Sequence, residues 1–236
     1  MAVVSEFIHT YIHGLDEKIE RGIPGGGNVL LISGPPGSYK SSIAFYMAYK
    51  NMLMKKEGSV LYFSLNQPKD SLLFQMDEMN LSLEDLPEGV HFEIVNSEIL
   101  KEYNIRSLKD FYEVIKKFAN DLKNLEFIVV DTLNILYIFA LYPIENPHRE
   151  LFEFFENLRK LGATVILISE TPMATSKISQ FEIEAQLCDA IFHLSMERIG
   201  RTLGRYISVV KLRGRKHSTD YYPIIFDDLG FRILSR

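Results

Sequence analysis

Lys40, Ser41 and Ser42 stand directly behind the loop Gly34-Pro35-Pro36-Gly37-Ser38-Tyr39. A lysine and a hydroxyl after a glycine-rich turn can do one particular piece of chemistry. Successive backbone N–H groups wrap phosphate oxygens, the ammonium reaches the β- and γ-phosphates, and the first hydroxyl ligates magnesium. Those roles fall to the amides of Gly37 to Ser42, to Lys40 and to Ser41. Asp131 adds a carboxylate at the end of the apolar run Phe127 to Val130. Beside a phosphate loop its task is to hold the same metal, directly or through water. Its plainer role would be to cap a helix beginning at Thr132. One residue departs from the pattern GxxxxGK[ST]: Tyr39 precedes the lysine where the pattern has glycine. The exchange keeps the backbone N–H, which is the part that faces phosphate.

These groups need a scaffold that brings strand ends together. Val29 to Ile32 is an unbroken apolar run, as in a strand buried on both faces, and Val60 to Leu65, Phe127 to Val130 and Thr164 to Ser169 read the same way. Val90 to Val95 reads as a further strand. Between them the pattern predicts helices: residues 11 to 27 as a short helix ending in a glycine-proline turn, Ser41 to about Lys56 with Gly58 as its stop, and a segment carrying Leu72, Leu73, Met76 and Met79. Ser107 with Asp110 resembles a capping box, and Leu108, Phe111, Tyr112, Ile115, Phe118 and Leu122 form one apolar helical face. Asn146-Pro147 should open another helix and Gly162 close it. From Ala190 onward the chain turns to short β runs separated by glycine turns. Alternating strands and helices predict one α/β domain over residues 1–236, three-layered and mainly parallel, with an antiparallel C-terminal extension.

Composition limits the function classes. A single cysteine, Cys188, excludes a disulfide framework and a multi-cysteine metal site. The N-terminus has no basic region ahead of a long apolar core, and the apolar stretch Ile135 to Tyr142 is too short to span a bilayer, so the expected setting is cytoplasmic, without membrane insertion. The net charge of −5 argues against a surface built throughout for nucleic acid. Yet Arg198, Arg201, Arg205, Lys211, Arg213, Arg215 and Lys216 form a run with no acid among them.

Taken together the motifs resemble the KaiC-like group of RecA-superfamily ATPases over nearly the whole length. HGLDEKIERGIPGGGNVLLISGPPGSYKSS is similar to that family's opening helix, Gly-Ile-Pro turn and Walker A motif. FIVVDTLNIL is similar to its Walker B strand, VILISE to its next strand end, and VVKLRGRKH to its Lys-x-Arg-Gly signature. The resemblance implies a RecA-like fold that binds ATP with Mg2+ and assembles into homo-oligomers.

Two features qualify that expectation. After the second strand the family carries a pair of glutamates that activate the attacking water, and here Asn66 and Gln67 stand in their place. An amide can orient water but cannot take its proton, and losing a general base costs about 10²–10⁴ in rate. Hydrolysis should therefore be slow or absent, which leaves open a nucleotide-dependent regulator or assembly switch. Glu170 is the nearby carboxylate, but it matches the family's own residue there. The second feature is Lys211 and Arg213, which alternation places on one strand face with Ile207 and Val209, roughly 7 Å apart. They could clamp a phosphate or merely charge an edge strand. The resemblance implies that they reach a neighbouring subunit's nucleotide. A recombinase-like DNA-binding role for the 198–216 stripe is the less favoured alternative, since the loop Thr171 to Gln180 offers little beyond Lys177 and the nearby Phe181 for single strands. His217 reads as a polar loop residue. An exposed patch along residues 133 to 142 would instead serve an unidentified protein partner, against a helix buried under the sheet.

Overall fold

The computed structural model describes residues 7–140, 147–173, 177–179 and 182–234. In chain order its elements are β1 (Phe7–Ile8), β2 (Ile23–Pro24), β3 (Val29–Gly34), α1 (Lys40–Leu53), β4 (Glu57–Ser64), α2 (Lys69–Asp77), β5 (Gly89–Asn96), α3 (Glu98–Glu102), α4 (Leu108–Asp121) and β6 (Leu125–Asp131). They continue with α5 (Leu133–Ala140), α6 (Pro147–Arg159), β7 (Thr164–Glu170), α7 (Glu182–Leu187), β8 (Ala190–Ile199), β9 (Thr202–Leu212), β10 (Tyr222–Asp227) and β11 (Gly230–Ile233).

The unbroken apolar runs are strands with both faces covered. In β3, Leu30 and Ile32 enter one core while Val29 and Leu31 enter the other; in β6, Phe127 and Val129 divide from Ile128 and Val130 in the same way. These strands lie in a nine-stranded sheet of order β11-β10-β9-β8-β3-β7-β6-β4-β5. From β8 to β5 the pairing is parallel, and β9 to β11 extend it antiparallel. Helices α1 and α2 cover one face and α3 to α7 the other. The result is the three-layer, mostly parallel architecture with antiparallel C-terminal strands that the sequence predicts. Because β3, β7, β6 and β4 are parallel, their C-terminal ends meet at one edge, where such sheets bind ligands.

Local signals explain several boundaries. Ser107 caps α4, its Oγ accepting from the Asp110 amide at 3.1 Å, while the Asp110 carboxylate takes the Arg106 amide instead of closing the box on Ser107. Gly162, at φ 78°, follows the end of α6 as expected. Asn146 and Phe181 lie outside the described residues.

Four local expectations are corrected. Residues 11 to 27 hold only a 3-10 turn, Asp16–Lys18, before β2. The Asp16 carboxylate binds the Thr10 and Tyr11 amides and the Thr10 hydroxyl, and Gly14 turns at φ 83° where a Cβ would stand 2.9 Å from Ile233, so this segment is tied to the sheet edge rather than coiled. Gly58 does not stop α1, which ends at Leu53, but lies inside β4 at φ 144°, where a Cβ would meet the Met52 methyl at 2.7 Å. The C-terminal strands are not all short: β8 and β9 have 10 and 11 residues and form a long hairpin turning at Gly200. Finally, a register shift between Ile191 and Phe192 against β9 breaks the alternation of that strand. Ile207, Val209 and Leu212 enter the α1-side core, whereas Lys211 and Arg213 reach α7 on the other side.

Helix α5 buries Leu133, Leu136, Tyr137 and Ala140 and leaves Ile138 66% exposed, so the apolar stretch after Asp131 is an amphipathic helix despite its composition. Among the described residues no helix is long and apolar enough to cross a membrane.

Candidate functional site

The loop after β3 is shaped by two glycines and one tyrosine. Gly34 sits at φ 151°, and a Cβ there would stand 2.5 Å from the Leu194 carbonyl of β8, so no side chain fits. Gly37 turns at φ 78° with open space around it. Tyr39 adopts the left-handed conformation, φ 76° and ψ 15°, at the N-cap of α1. That conformation costs an L-residue about 1–2 kcal/mol and suits the glycine of the pattern. Here it is offset by contacts. The Tyr39 ring meets Phe231 edge-on at 5.5 Å, a contact worth about 0.5–1.5 kcal/mol. The Arg205 guanidinium lies 4.3 Å above the same ring, worth about 0.5–1 kcal/mol more. The side chain is directed into the β9 and β11 side of the loop.

Inside the loop, Lys40 is buried, and its Nζ donates to the Pro35 carbonyl at 2.8 Å with Glu170 Oε1 at 3.6 Å. Burial lowers the ammonium's pKa, and the nearby Glu170 and Asp131 carboxylates pull against that shift. The Ser38 hydroxyl closes on the Pro35 carbonyl at 2.7 Å, which holds the turn. The first turn of α1 carries no acid, so its N-terminal amides face the loop without a competing carboxylate.

Asp131 ends β6 in register with Ser64 of β4 and is fully buried. Its Oδ2 accepts from the Tyr62 hydroxyl at 2.9 Å, and the Ser41 side chain lies near enough to the carboxylate to lower its pKa. Burial raises its pKa to about 6, against the opposing pull of Ser41, Tyr62 and Lys40. Oδ1 has no hydrogen-bond partner among the described residues. A buried carboxylate oxygen without a donor, beside a hydroxyl and a phosphate loop, fits a magnesium ion held partly by nucleotide oxygens. The fit is to a shared ion rather than an all-protein cage, because no described group of three or more His, Cys, Asp or Glu residues could hold a metal.

Asn66 and Gln67 follow β4 at the same edge, next to Asp131 through the Leu65 amide, which donates to the Asp131 carbonyl at 2.6 Å. Asn66 is exposed, and Gln67 Oε1 accepts from Gln75 while its carbonyl accepts from Ser64. Glu170 pairs with Gly34 at the end of β7, and its backbone is clamped by the Asn134 side chain through both N–H and C=O. An open cleft of about 560 Å³ adjoins Pro36, Asn134, Glu170 and Lys177.

The structure thus gathers Gly34 to Ser42, Asp131, Asn66, Gln67 and Glu170 at one edge. Lys211 and Arg213 are not part of that group. They lie at the end of β9, opposite the start of β8, which in turn pairs with the start of β3. Lys211 Nζ donates to the Ala185 and Gln186 carbonyls at 2.8 and 2.9 Å; Arg213 binds Asp189 at 2.9 Å and the Gln186 carbonyl at 2.7 Å. Sequence reasoning missed Tyr62 and Asn134, which hold Asp131 and Glu170 from neighbouring elements and carry no local signal. It also treated Arg205 only as part of a charge run, whereas Arg205 Nε donates to the Gly37 carbonyl at 2.9 Å.

A glycine loop with a buried lysine at a helix N-terminus, facing a strand-end carboxylate on this sheet, defines a P-loop protein of the RecA-like class. A family model described as "ATPase: KaiC" matches residues 8–236, and the chain belongs to that family. A UPF0273 protein of Pyrococcus furiosus is 26% identical over 94% of this chain and 92% of its own length. The circadian clock oscillator protein KaiC of Synechococcus elongatus is 23% identical over 96% of this chain, which spans 44% of that larger protein. The crystal structure of a KaiC-like protein from Pyrococcus horikoshii superposes with a TM-score of 0.76 at 23% identity, covering 98% of this chain and 100% of that one.

Proposed function

We propose that the chain binds ATP with Mg2+ at this loop, with copies of itself completing the site, and that it turns the nucleotide over slowly or not at all. The observation that carries the reading is the pairing of buried Lys40 with Asp131 Oδ1, a phosphate ligand and an unsatisfied metal ligand at one strand edge. Lys40 would hold the β- and γ-phosphates, the amides of Gly37 to Ser42 their oxygens, and Ser41 with Asp131 the ion. Bound magnesium would neutralise phosphate charge. Tyr62, donating to Oδ2, holds the Asp131 carboxylate so that Oδ1 would be left for the ion.

Slow turnover is supported by what faces the loop. Asn66 and Gln67 are amides, and the Glu170 carboxylate is directed to Lys40. Neither offers a free general base. Assembly is supported by the place of Lys211 and Arg213. They stand away from their own phosphate loop, so any phosphate they complete belongs to another copy. Their separation from Arg198 and Arg201, at the opposite tip of the β8–β9 hairpin, favours this over one continuous nucleic-acid stripe.

Single-turnover hydrolysis with excess protein, alongside ATP binding by equilibrium titration, tests the reading. Expected are saturable binding that needs Lys40 and a hydrolysis rate far below that of an enzyme with a glutamate base. Absence of ATP binding to the unaltered chain would overturn it. A salt-dependent DNA titration tests the nucleic-acid alternative, because phosphate contacts weaken steeply with salt.

A further inference from the structure

The residue that departs from the phosphate-loop pattern is the one most firmly built into its surroundings. Tyr39 holds a backbone conformation that glycine adopts freely, yet its ring is packed on two sides. On one side is Phe231 of β11, 1% exposed, which also meets Phe226 at 4.8 Å and Tyr46 of α1 at 5.2 Å. On the other is Arg205 of β9, whose Nε donates to the Gly37 carbonyl two residues before the tyrosine. The ring and the guanidinium therefore close a circuit from the loop backbone through β9 and back. Phe231 closes another through β11 and α1. Both circuits hold the loop from outside the concave side that contains Lys40.

We infer that Tyr39 is a positioning residue: its ring, clamped between Arg205 and Phe231, fixes the loop from Gly37 to Lys40 in its nucleotide-receiving shape and ties that loop to the C-terminal β10–β11 hairpin. The inference rests on the nucleotide reading above for its ligand, and on packing geometry alone for the fixing itself. A glycine at this position would satisfy the backbone with less strain but would leave the loop free on its outer side and Arg205 without its platform. The departure from the pattern thus replaces backbone freedom with a side-chain brace.

The experiment has two arms using the full chain. In the first, ATP with MgCl2 is titrated into the unaltered protein and into Tyr39→Gly, Tyr39→Phe, Arg205→Lys and the Tyr39→Gly/Arg205→Lys double variant, with Lys40→Ala as the control for site occupancy. Loss of the braced contacts should weaken ATP binding by about tenfold in Tyr39→Gly and Arg205→Lys. Tyr39→Phe keeps the ring and should recover the affinity. The double variant should lose little beyond either single change, since both remove one circuit. In the second arm, amide hydrogen exchange of residues 37 to 42 is followed without nucleotide. Exchange should quicken in Tyr39→Gly and Arg205→Lys and stay at the original rate in Tyr39→Phe. Phe231→Leu, which keeps the core filled, should quicken the same amides.

Equal or tighter ATP binding by Tyr39→Gly, with Lys40→Ala still inactive, overturns the inference and makes the ring an obstruction. Unchanged exchange in the glycine variant overturns it regardless of ATP. If the unaltered chain binds no ATP, the nucleotide reading fails, and the exchange arm still decides whether Tyr39 braces the loop.

Discussion

At the phosphate-loop edge, Lys40 is buried against a carbonyl and a carboxylate, and Asp131 keeps one oxygen without a donor. At the far end of β9, Lys211 and Arg213 direct their donors to the carbonyls that end α7 and to Asp189, with little left unsatisfied. Cations at a helix C-terminus are favourably placed by the exposed carbonyls there. The first region keeps a buried carboxylate oxygen outside the hydrogen-bond network, as the proposed metal ligand would. The second is already paired within its own chain, so its service to a neighbour, as proposed, requires an exchange of partners. On the proposed reading, nucleotide recognition falls to one end of the sheet and the control of assembly to the other.

The largest expected change would sharpen the first half of this comparison. Replacing Asn66 and Gln67 with glutamate, singly or together, should raise single-turnover hydrolysis by up to about 10²–10⁴. Rapid Lys40-dependent turnover by the unaltered chain would instead assign the base to Glu170.

Next is Asp131, whose pKa burial holds at about 6. The unfolded chain ionises this residue at lower pH than the folded one does. Its contribution therefore favours folding below about pH 4 and is lost as pH rises from about 4 to 6. Asp131→Asn should accordingly stabilise the ligand-free protein at pH 8 by up to about 3 kcal/mol, with the gain shrinking toward pH 4, while abolishing magnesium-dependent ATP stabilisation. Denaturant melts across pH with and without ATP measure both. A loss of ligand-free stability at pH 8 would show that the carboxylate is needed structurally.

ATP with magnesium at a hundred times its dissociation constant should stabilise the fold by about 2.7 kcal/mol, and Lys40→Ala should remove that gain. Thermal melts are sufficient to see it. No shift for the unaltered chain at millimolar ATP would break the view of this end as a ready receptor.

The smallest effect tests the other end. Lys211→Ala/Arg213→Ala leaves the α7 carbonyls to water and should lower ligand-free stability by about 1–2 kcal/mol. It should also fail to form ATP-dependent oligomers, as should Lys40→Ala, while a mixture of the two proteins recovers some competent interfaces. Light scattering reads the assemblies. A monomer that binds ATP at full affinity would reduce the two cations to fasteners of α7.

The legible parts of this molecule were those written locally. A buried strand, glycine turn and Lys-Ser at a helix head occupy fifteen consecutive positions, residues 28 to 42, so the phosphate loop could be read without knowing what surrounds it. Asp131 could be read because an apolar run ending in one carboxylate has few other uses. What depends on register could not be read. The shift opposite Ile191 and Phe192 turns Lys211 away from the face of Ile207 and Val209, and nothing in β9 itself announces it. The basic run 198–216 looked continuous because sequence has no length scale. An 11-residue strand carries its ends about 33 Å apart, placing Arg205 near the loop and Arg213 at α7. Tyr62 lay hidden for the opposite reason, as one aromatic among the apolar residues of a strand, where only its partner across the sheet gives the hydroxyl a purpose.

The close approach at Gly34 has a mechanical meaning. With the Leu194 carbonyl 2.5 Å from where a Cβ would be, loop and hairpin meet backbone to backbone, with no deformable side chain to absorb motion between them. Strand β8 continues from there through Ser195–Ile199, about 16 Å of cantilever beyond the contact. A small tilt at Gly34 would, by that lever arm, displace the arginine-bearing tip further than the loop itself.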